Sequence, residues 1–232
     1  MLACREGKLA CIQQLLASDA NVNHKSLKGV CAFQEVCMYG SKSGIKLLLQ
    51  HGADANTVFG RMYRPLKPDQ EIQGTTAIIW ACQHGQGECV KVLLENGASM
   101  DVQNSIGATG LHMACHNGFA DCAQLLIEAG CNYNLRTNEG GTALLFAKTL
   151  PCIELLVSHG ADLDAQDVYG QTALINAGDD GKIDVVKFLL SKRANTKLTC
   201  IQGCTAFQWA IQSGHKAVAK LLWDYSIESA HA

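Results

Sequence analysis

The side chains with the most chemical potential in this sequence are thiols and imidazoles, since the chain carries twelve cysteines and eight histidines. His112, Cys115 and His116 fall within five residues of one another, and Cys82 and His84 precede Cys115 by 33 and 31 residues. A zinc ion would require four such ligands at about 2.0–2.3 Å from one point. Whether these side chains converge depends on the elements that carry them.

Carboxylates offer a second kind of chemistry, because Asp179 and Asp180 form a tight acidic pair of the kind that general acid–base catalysis uses. The chain has no G-x-S-x-G, no Walker-type glycine loop, no H-E-x-x-H and no dinucleotide-binding fingerprint. We therefore predict that the chain is not an enzyme and holds no cofactor or metal. Asp179 and Asp180 are then interpreted as a solvated rim.

The composition favours a soluble chain with reduced thiols. The 232 residues are 48% hydrophobic and carry a net charge of −2, which gives no reason to expect a nucleic-acid partner. No apolar run approaches the roughly 18 residues of a membrane helix, and the N-terminal segment "MLACREGKLACIQQ" lacks the plan of a signal peptide. Disulfide scaffolds are small and secreted, so we predict a cytoplasmic or nuclear location, in a reducing compartment.

The elements that carry these side chains belong to an internal repeat. Gly107, Gly140, Gly170 and Gly203 each open a turn, at spacings of 33, 30 and 33 residues. The equivalent Gly29 and Gly74 lie 45 residues apart, which is 33 plus 12. The sequence therefore predicts an insertion of 12 residues in an otherwise fixed period.

Each unit predicts two antiparallel helices and a projecting turn. A short apolar segment follows G-x-T-A-L, and a longer segment such as "ECVKVLLENGA" follows with apolar residues at helical spacing. Threonines stand where N-caps are expected and glycines where C-caps are expected. The threonines are Thr76, Thr109, Thr142, Thr172 and Thr205, and the glycines are Gly97, Gly130 and Gly160.

This pattern resembles the ankyrin repeat, with "HGADAN" (51–56), "HGADLD" (159–164) and "ATGLHMA" (108–114) in register. The resemblance covers essentially the whole chain, although alanine replaces the motif proline in most units and the motif histidine survives only at His112. It implies an all-α solenoid of stacked helix-turn-helix units with projecting β-turn or hairpin fingers. We expect a single domain, 1–232, with repeats at approximately 1–26, 27–58, 72–104, 105–137, 138–167, 168–200 and 201–232.

Three units depart from the pattern. The fifth lacks three residues between its helices, where "FAKTLPCIELL" places Pro151 in the first turn of the second helix, a position that proline tolerates. The last unit ends in "SIE" instead of G-A-D, which predicts a capping repeat. Met1 falls inside a first helix, so we expect the chain to be a piece of a longer array.

Eight cysteines align in two columns, which we interpret as small packing groups between stacked units. The alternative of a metal site is disfavoured because stacked units lie about 10 Å apart, like other packed layers. Cys131 and Cys204 are expected to be the most exposed thiols. The columns are Cys4, Cys37, Cys82 and Cys115 late in first helices, and Cys11, Cys89, Cys122 and Cys152 early in second helices.

The family resemblance implies that a partner binds in the concave groove, on the turn tips and on the exposed ends of the first helices. Several of these positions are apolar or aromatic, including Val168 and Ile201, and such side chains anchor interfaces. The alternative is that they are ordinary surface apolar residues. The candidate positions are Met38, Tyr39, His84, Ile106, His116, Asn117, Arg136, Glu139, Tyr169, Asp179, Asp180, Gln202 and Gln212.

The insertion segment, residues 57–73, includes the 12 extra residues and is predicted to lengthen the finger between the second and third units. It carries Phe59, Arg61, Met62, Tyr63, Arg64 and Lys67, which combine apolar anchors with positive charges. Pro65 and Pro68 restrict its conformations. The insertion is either a recognition element or a tolerated loop, because long surface loops cost little stability.

The sequence thus predicts a protein–protein interaction module that binds an extended segment or loop of another protein and is monomeric by itself. The alternative is a regulatory or scaffold segment of a larger enzyme, channel or ubiquitin-ligase adaptor. The resemblance has one further implication. Asn23, Asn56 and Asn134 resemble the targets of an asparaginyl hydroxylase.

Overall fold

The fold was analysed in a computed structural model, which describes residues 2–27, 29–59 and 73–228, without the side chains of Arg5 and Glu228. The chain divides into two compact units, Met1–Asn132 and Tyr133–Ala232. Within the described ranges the regular structure is helical, and strand-like pairing is limited to the isolated antiparallel bridges Lys25–Cys31 and Val58–Thr76. No helix of those ranges is long and apolar enough to cross a membrane.

The described residues of the first unit form four helix pairs. First helices pack on first helices along the unit, and second helices pack on second helices. The pairs are α1 (Leu2–Arg5) with α2 (Leu9–Ala17), α3 (Ala32–Met38) with α4 (Lys42–Gln50), α5 (Ala77–Gln83) with α6 (Gly87–Glu95), and α7 (Gly110–Asn117) with α8 (Ala120–Glu128).

In the part of the second unit that the structure describes, three helix pairs show the same packing of first helix on first helix and second on second. Its first helix, α9, is only four residues long, whereas α11 and α13 have seven residues each. The pairs are α9 (Ala143–Phe146) with α10 (Leu150–Ser158), α11 (Ala173–Asp179) with α12 (Ile183–Ser191), and α13 (Ala206–Gln212) with α14 (Lys216–Glu228). Pro151 lies in the first turn of α10, as predicted.

Threonine stands at the N-cap of α5, α7, α9, α11 and α13, as predicted, whereas Cys31 caps α3. Thr109 and His112 form a reciprocal capping box, in which Thr109 N–H donates to His112 Nδ1 at 3.2 Å and Thr109 Oγ1 accepts from His112 N–H at 3.5 Å. Thr205 forms the same box with Gln208. The hydroxyls of Thr76 and Thr142 are buried without a hydrogen-bond partner, so at these two positions the residue type marks the helix start without the capping bond.

The ends of the second helices require a left-handed residue. Gly97, Gly130 and Gly160 supply it with φ of 78°, 87° and 91°. In the sixth repeat Arg193 adopts φ of 65° at the equivalent position. A side chain with a Cβ is strained in this region of backbone space, so the second unit contains a local cost that glycine would remove.

Short polar side chains join successive repeats behind the helices. Asn23 Nδ2 donates to Gly52 O at 2.9 Å, and Asn56 Oδ1 accepts from Ser99 N–H at 2.7 Å. Asp164 makes the same kind of bond in the second unit, since its carboxylate accepts from Asn195 N–H at 2.8 Å. Two of the three asparagines that resemble hydroxylation targets are therefore bonded to the backbone of the following repeat.

Candidate partner-binding surface

The turn tips, or fingers, are joined by backbone hydrogen bonds within each unit. In the second unit Val168 N–H donates to Glu139 O at 2.8 Å, and Ile201 N–H donates to Tyr169 O at 2.9 Å. In the first unit Ser105 N–H donates to Gln73 O at 2.8 Å. The structure thus places the predicted tip positions side by side, finger next to finger.

Long polar side chains at positions 103, 136 and 166 tie fingers down, a role that was not predicted from the sequence. Arg136 Nη1 donates to Gly140 O and to Gln166 O, both at 2.8 Å. Gln166 Nε2 repeats the arrangement with Gly170 O at 2.8 Å and Thr199 O at 3.0 Å. Arg136 is exposed at a predicted binding position, but its guanidinium already holds two fingers together. The recurrence of a long donor at positions 103, 136 and 166 was the available signal.

The finger tips expose apolar side chains. Ile106 is 44% exposed, Val168 58%, Tyr169 46% and Ile201 71%. Glu139 and Gln202 are exposed beside them in the second unit. Because Val168, Tyr169 and Ile201 lie on directly bonded fingers, they form a continuous amphipathic ridge.

The helix ends of the first unit are rich in rings. Tyr39 is 55% exposed, and His84, His116 and Asn117 are exposed as well, whereas Met38 is half-buried. The ring of His84 stacks on Trp80 with centroids 3.9 Å apart, and its Nδ1 lies 2.9 Å from Trp80 O. The imidazole is therefore held in place rather than free to rotate.

The helix ends of the second unit are acidic and amide-rich instead. Asp179 accepts from the Ser213 hydroxyl at 2.5 Å, and Asp180 pairs with Lys182 at 2.8 Å. Gln212 Nε2 donates to Cys204 Sγ at 3.6 Å. Both carboxylates are exposed, which agrees with the interpretation of a solvated rim.

The insertion requires one correction. Phe59, expected to be an exposed anchor, is buried with 6% of its surface accessible. Its N–H donates to Thr75 O at 2.8 Å, and Val58 bridges to Thr76, so Phe59 closes the base of the insertion. A periodic pattern gives no register inside an insertion, which is why its facing could not be predicted. Arg61, Met62, Tyr63, Arg64 and Lys67 lie outside the described residues.

The cysteine columns are buried as predicted, except for one member. In addition, one of the two thiols expected to be exposed is buried. Cys11 is exposed instead of packed. Cys131, expected to be exposed, is buried, and this burial raises its pKa to about 12. Cys204 is half-buried. All twelve cysteines are free thiols, and the described ranges contain no cluster of three His, Cys, Asp or Glu side chains placed to hold a metal ion.

The comparisons with known proteins agree with this architecture. A family model described as ankyrin repeats, three copies, matches residues 1–104, 96–167 and 146–230. The crystal structure of the human ASB11 ankyrin repeat domain superposes with a TM-score of 0.80 at 28% identity, covering 95% of each chain.

Two curated relatives match a shorter stretch. The ankyrin repeat and SAM domain-containing protein 6 of Mus musculus is 46% identical over 59 residues, and that of Rattus norvegicus is 44% identical over the same length. Each match spans 25% of this chain and only 7% of the relative. With the fold, the repeat pattern and the family model in agreement, the expected all-α ankyrin solenoid is confirmed, and the chain belongs to the ankyrin-repeat family.

Proposed function

We propose that this protein is an interaction module that binds an extended segment or loop of another protein. Ankyrin repeats generally bind other proteins, and the family model and the matched solved structure place this chain among them. The partner is proposed to lie in the concave groove that the family resemblance implies, along the finger tips and the first-helix ends.

The ridge of exposed apolar side chains on the fingers carries this proposal. A soluble chain gains nothing from exposing Val168, Tyr169 and Ile201 on adjacent fingers, because burial of apolar surface is favourable at about 25 cal/mol per Å². Tyrosine also supplies a hydrogen-bonding tip at low entropy cost. A partner that covers these side chains would recover the apolar burial that the free chain forgoes.

The two sets of helix ends are proposed to contact different parts of the partner. Tyr39, His84 and His116 offer rings in the first unit, and Asp179, Asp180 and Gln212 offer acceptors and an amide in the second. Asn117 and the half-buried Met38 complete the proposed set in the first unit. The insertion, with Arg61, Tyr63 and Arg64, is proposed as an added contact on sequence grounds alone.

The protein is further proposed to act as a monomer in a reducing compartment, the cytoplasm or the nucleus. Ten of its twelve cysteines are buried free thiols that pack as small apolar groups. A fold that uses thiols in this way needs no disulfide for stability.

A second candidate function is that of a regulatory or scaffold segment in a larger protein, such as an enzyme, a channel or a ubiquitin-ligase adaptor. The curated relatives favour it, because the matched stretch is 7% of a protein that also contains a SAM domain. The two functions are compatible, since an interaction module can serve inside a larger chain.

The test is capture of partners from cell lysate, quantified by mass spectrometry with wild type and three variants. The first carries Tyr39→Ala with Tyr169→Ala, the second has residues 57–73 replaced by a five-residue turn, and the third is a control with Lys91→Ala and Lys187→Ala on exposed second-helix positions. We expect a partner that the tyrosine variant and the shortened variant lose and the control keeps. An unchanged partner list in all three variants, each verified as folded, would contradict the proposed surface.

A further inference from the structure

The shortened fifth repeat leaves an opening in the row of first-helix ends. Helices α5 and α11 have seven residues, but α9 stops at Phe146 after four. By alignment of the repeats, the missing residues correspond to Cys82, Gln83 and His84 of the third repeat. The backbone turns at Ala147 into an extended conformation, with φ of −65° and ψ of 119°.

A cavity of about 220 Å³ occupies this place, wholly within the second unit. We call it the deletion pocket. Its apolar walls include Leu144, Ile153 and Val185, and its polar lining includes Lys148, Asp179 and Asp180. It therefore combines apolar walls with charged groups. It lies beside the first-helix ends that we propose as part of the partner-binding surface.

Charges of both signs line the deletion pocket, with Asp179 and Asp180 on the acidic side and Lys148 and Lys182 on the basic side. The pocket is lined by the C-terminal residues of two helices, α9 and α11, and helix C-termini carry a partial negative charge. Asp179 and Asp180 stand at the end of α11, where acidic side chains add to that charge. Lys182 offsets the charge of Asp180, whereas among the described residues Asp179 has no cationic partner and is the carboxylate that an arriving cation would neutralise.

The two carboxylates also retain unused acceptor capacity. Asp179 accepts one bond from Ser213, and Asp180 accepts from Lys182, whereas a carboxylate offers about four lone-pair sites. Lys182 is already paired. In the described part of the chain Lys148 makes no ion pair. Its positive charge is therefore not offset by a carboxylate and repels a cation that enters the pocket.

We propose that the deletion pocket receives an arginine side chain of the partner protein, an inference that rests on the proposed function. The aliphatic stem would lie on the half-buried Leu145 and Ala147, as long cationic side chains cover apolar surface. The guanidinium would donate to Asp179 and Asp180, because its fixed fork suits carboxylates better than a lysine ammonium does. The displaced end of Lys148 moves into solvent on its flexible stem.

The test uses a small probe, so that it does not depend on finding the partner. Nα-acetyl-arginine methylamide is titrated into the ¹⁵N-labelled protein, and amide shifts are followed by NMR. The matched lysine, glutamine and glutamate derivatives serve as comparison probes. We expect saturable shifts at Lys148, Ala177, Asp179 and Asp180 with the arginine probe, and weaker shifts with the lysine probe. Stronger shifts with the glutamate or glutamine probe would overturn the proposal.

Variants sharpen the assignment. Asp179→Asn with Asp180→Asn is expected to weaken the arginine probe about tenfold or more, because two charge-assisted bonds are lost. Lys148→Ala is expected to strengthen it, since the opposing charge is gone. Lys187→Ala, on the exposed face of α12, serves as the control and should change nothing. Weaker arginine binding in Lys148→Ala would contradict the proposal.

A third variant removes the deletion pocket itself. Insertion of Cys-Gln-His between Ala147 and Lys148 restores the length of the third repeat and should abolish arginine binding. If this variant does not fold, the Asp179→Asn and Asp180→Asn result decides alone. Loss of partner capture in the tyrosine variant together with absent probe binding would refute the deletion pocket and leave the proposed function intact. Probe binding with unchanged partner capture would refute the proposed function and leave the deletion pocket as an arginine-binding site.

Discussion

The two compact units share a scaffold but differ in the chemistry at their first-helix ends. In Met1–Asn132 these ends carry Tyr39, His84 and His116, whereas in Tyr133–Ala232 they carry Asp179, Asp180 and Gln212. The cores beneath are alike, because leucines at equivalent positions are buried in both. The difference teaches that packing and surface chemistry are encoded at separate positions of each repeat, so that one can vary while the other stays constant.

The largest effect should come from the shared core. Leu93 in α6 and Leu189 in α12 are both fully buried. We expect Leu93→Ala and Leu189→Ala each to lower the free energy of unfolding by about 2–5 kcal/mol, from lost burial and the cavity left behind. Urea denaturation measures both. A cost below about 1 kcal/mol at one site would break the equivalence of the two cores.

The next effect comes from the N-caps, which include bonded and unbonded threonines in both units. Thr109 in the first unit makes its capping box with His112, whereas the Thr142 hydroxyl in the second is buried and unpaired. We expect Thr109→Ala to cost about 1–2 kcal/mol and Thr142→Ala to cost close to nothing, because no bond is lost. Thr172→Ala, which removes a cap on Ile175 N–H within the second unit, is the control and should resemble Thr109→Ala. Equal costs at Thr109 and Thr142 would contradict this assignment.

A smaller effect concerns the left-handed residue after the second helices. Gly97 has φ of 78° with open space where a Cβ would stand, and Arg193 has φ of 65°. We expect Gly97→Ala to destabilise the protein by about 1 kcal/mol and Arg193→Gly to stabilise it by up to about 1 kcal/mol. Thermal and urea unfolding report both signs. Destabilisation by Arg193→Gly would mean that the arginine side chain contributes more than its backbone strain.

The smallest effect concerns surface charge. The hydrogen bond from Lys42 lowers the pKa of Glu88. The stability that this pair contributes is therefore present at pH values above the ordinary carboxyl pKa, and it is lost as the pH falls through the lowered pKa. Both side chains are exposed, and such pairs add little stability. We expect Lys42→Ala to raise the pKa of Glu88 in a ¹³C NMR titration while unfolding is unchanged. Lys46→Ala, one turn further along α4, is the control, and the same rise there would assign the shift to general charge.

The sequence predicted the fold well because the repeat imposes the same local rules several times. Thr109 before a helix and Gly97 after one are decided by backbone chemistry that neighbours in sequence reveal. Phe59 was predicted wrongly because its facing depends on contacts outside the periodic pattern. Cys131 was predicted wrongly although it occupies the repeat position of Ala98, Ala161 and Ala194, all of which are buried. The pairing of Asp179 with Ser213 and the cavity beside α9 arise between repeats, and no single repeat contains the information for them.

The backbone bonding of the fingers has a consequence for how this surface can change over generations. The bonds from Val168 to Glu139 and from Ile201 to Tyr169 use main-chain N–H and C=O groups, which every residue except proline provides. Substitution of a tip side chain therefore leaves the scaffold bonds in place. We therefore expect single substitutions on the ridge to change its surface chemistry without unfolding the protein, and a library randomised at these tips should consist mostly of folded proteins.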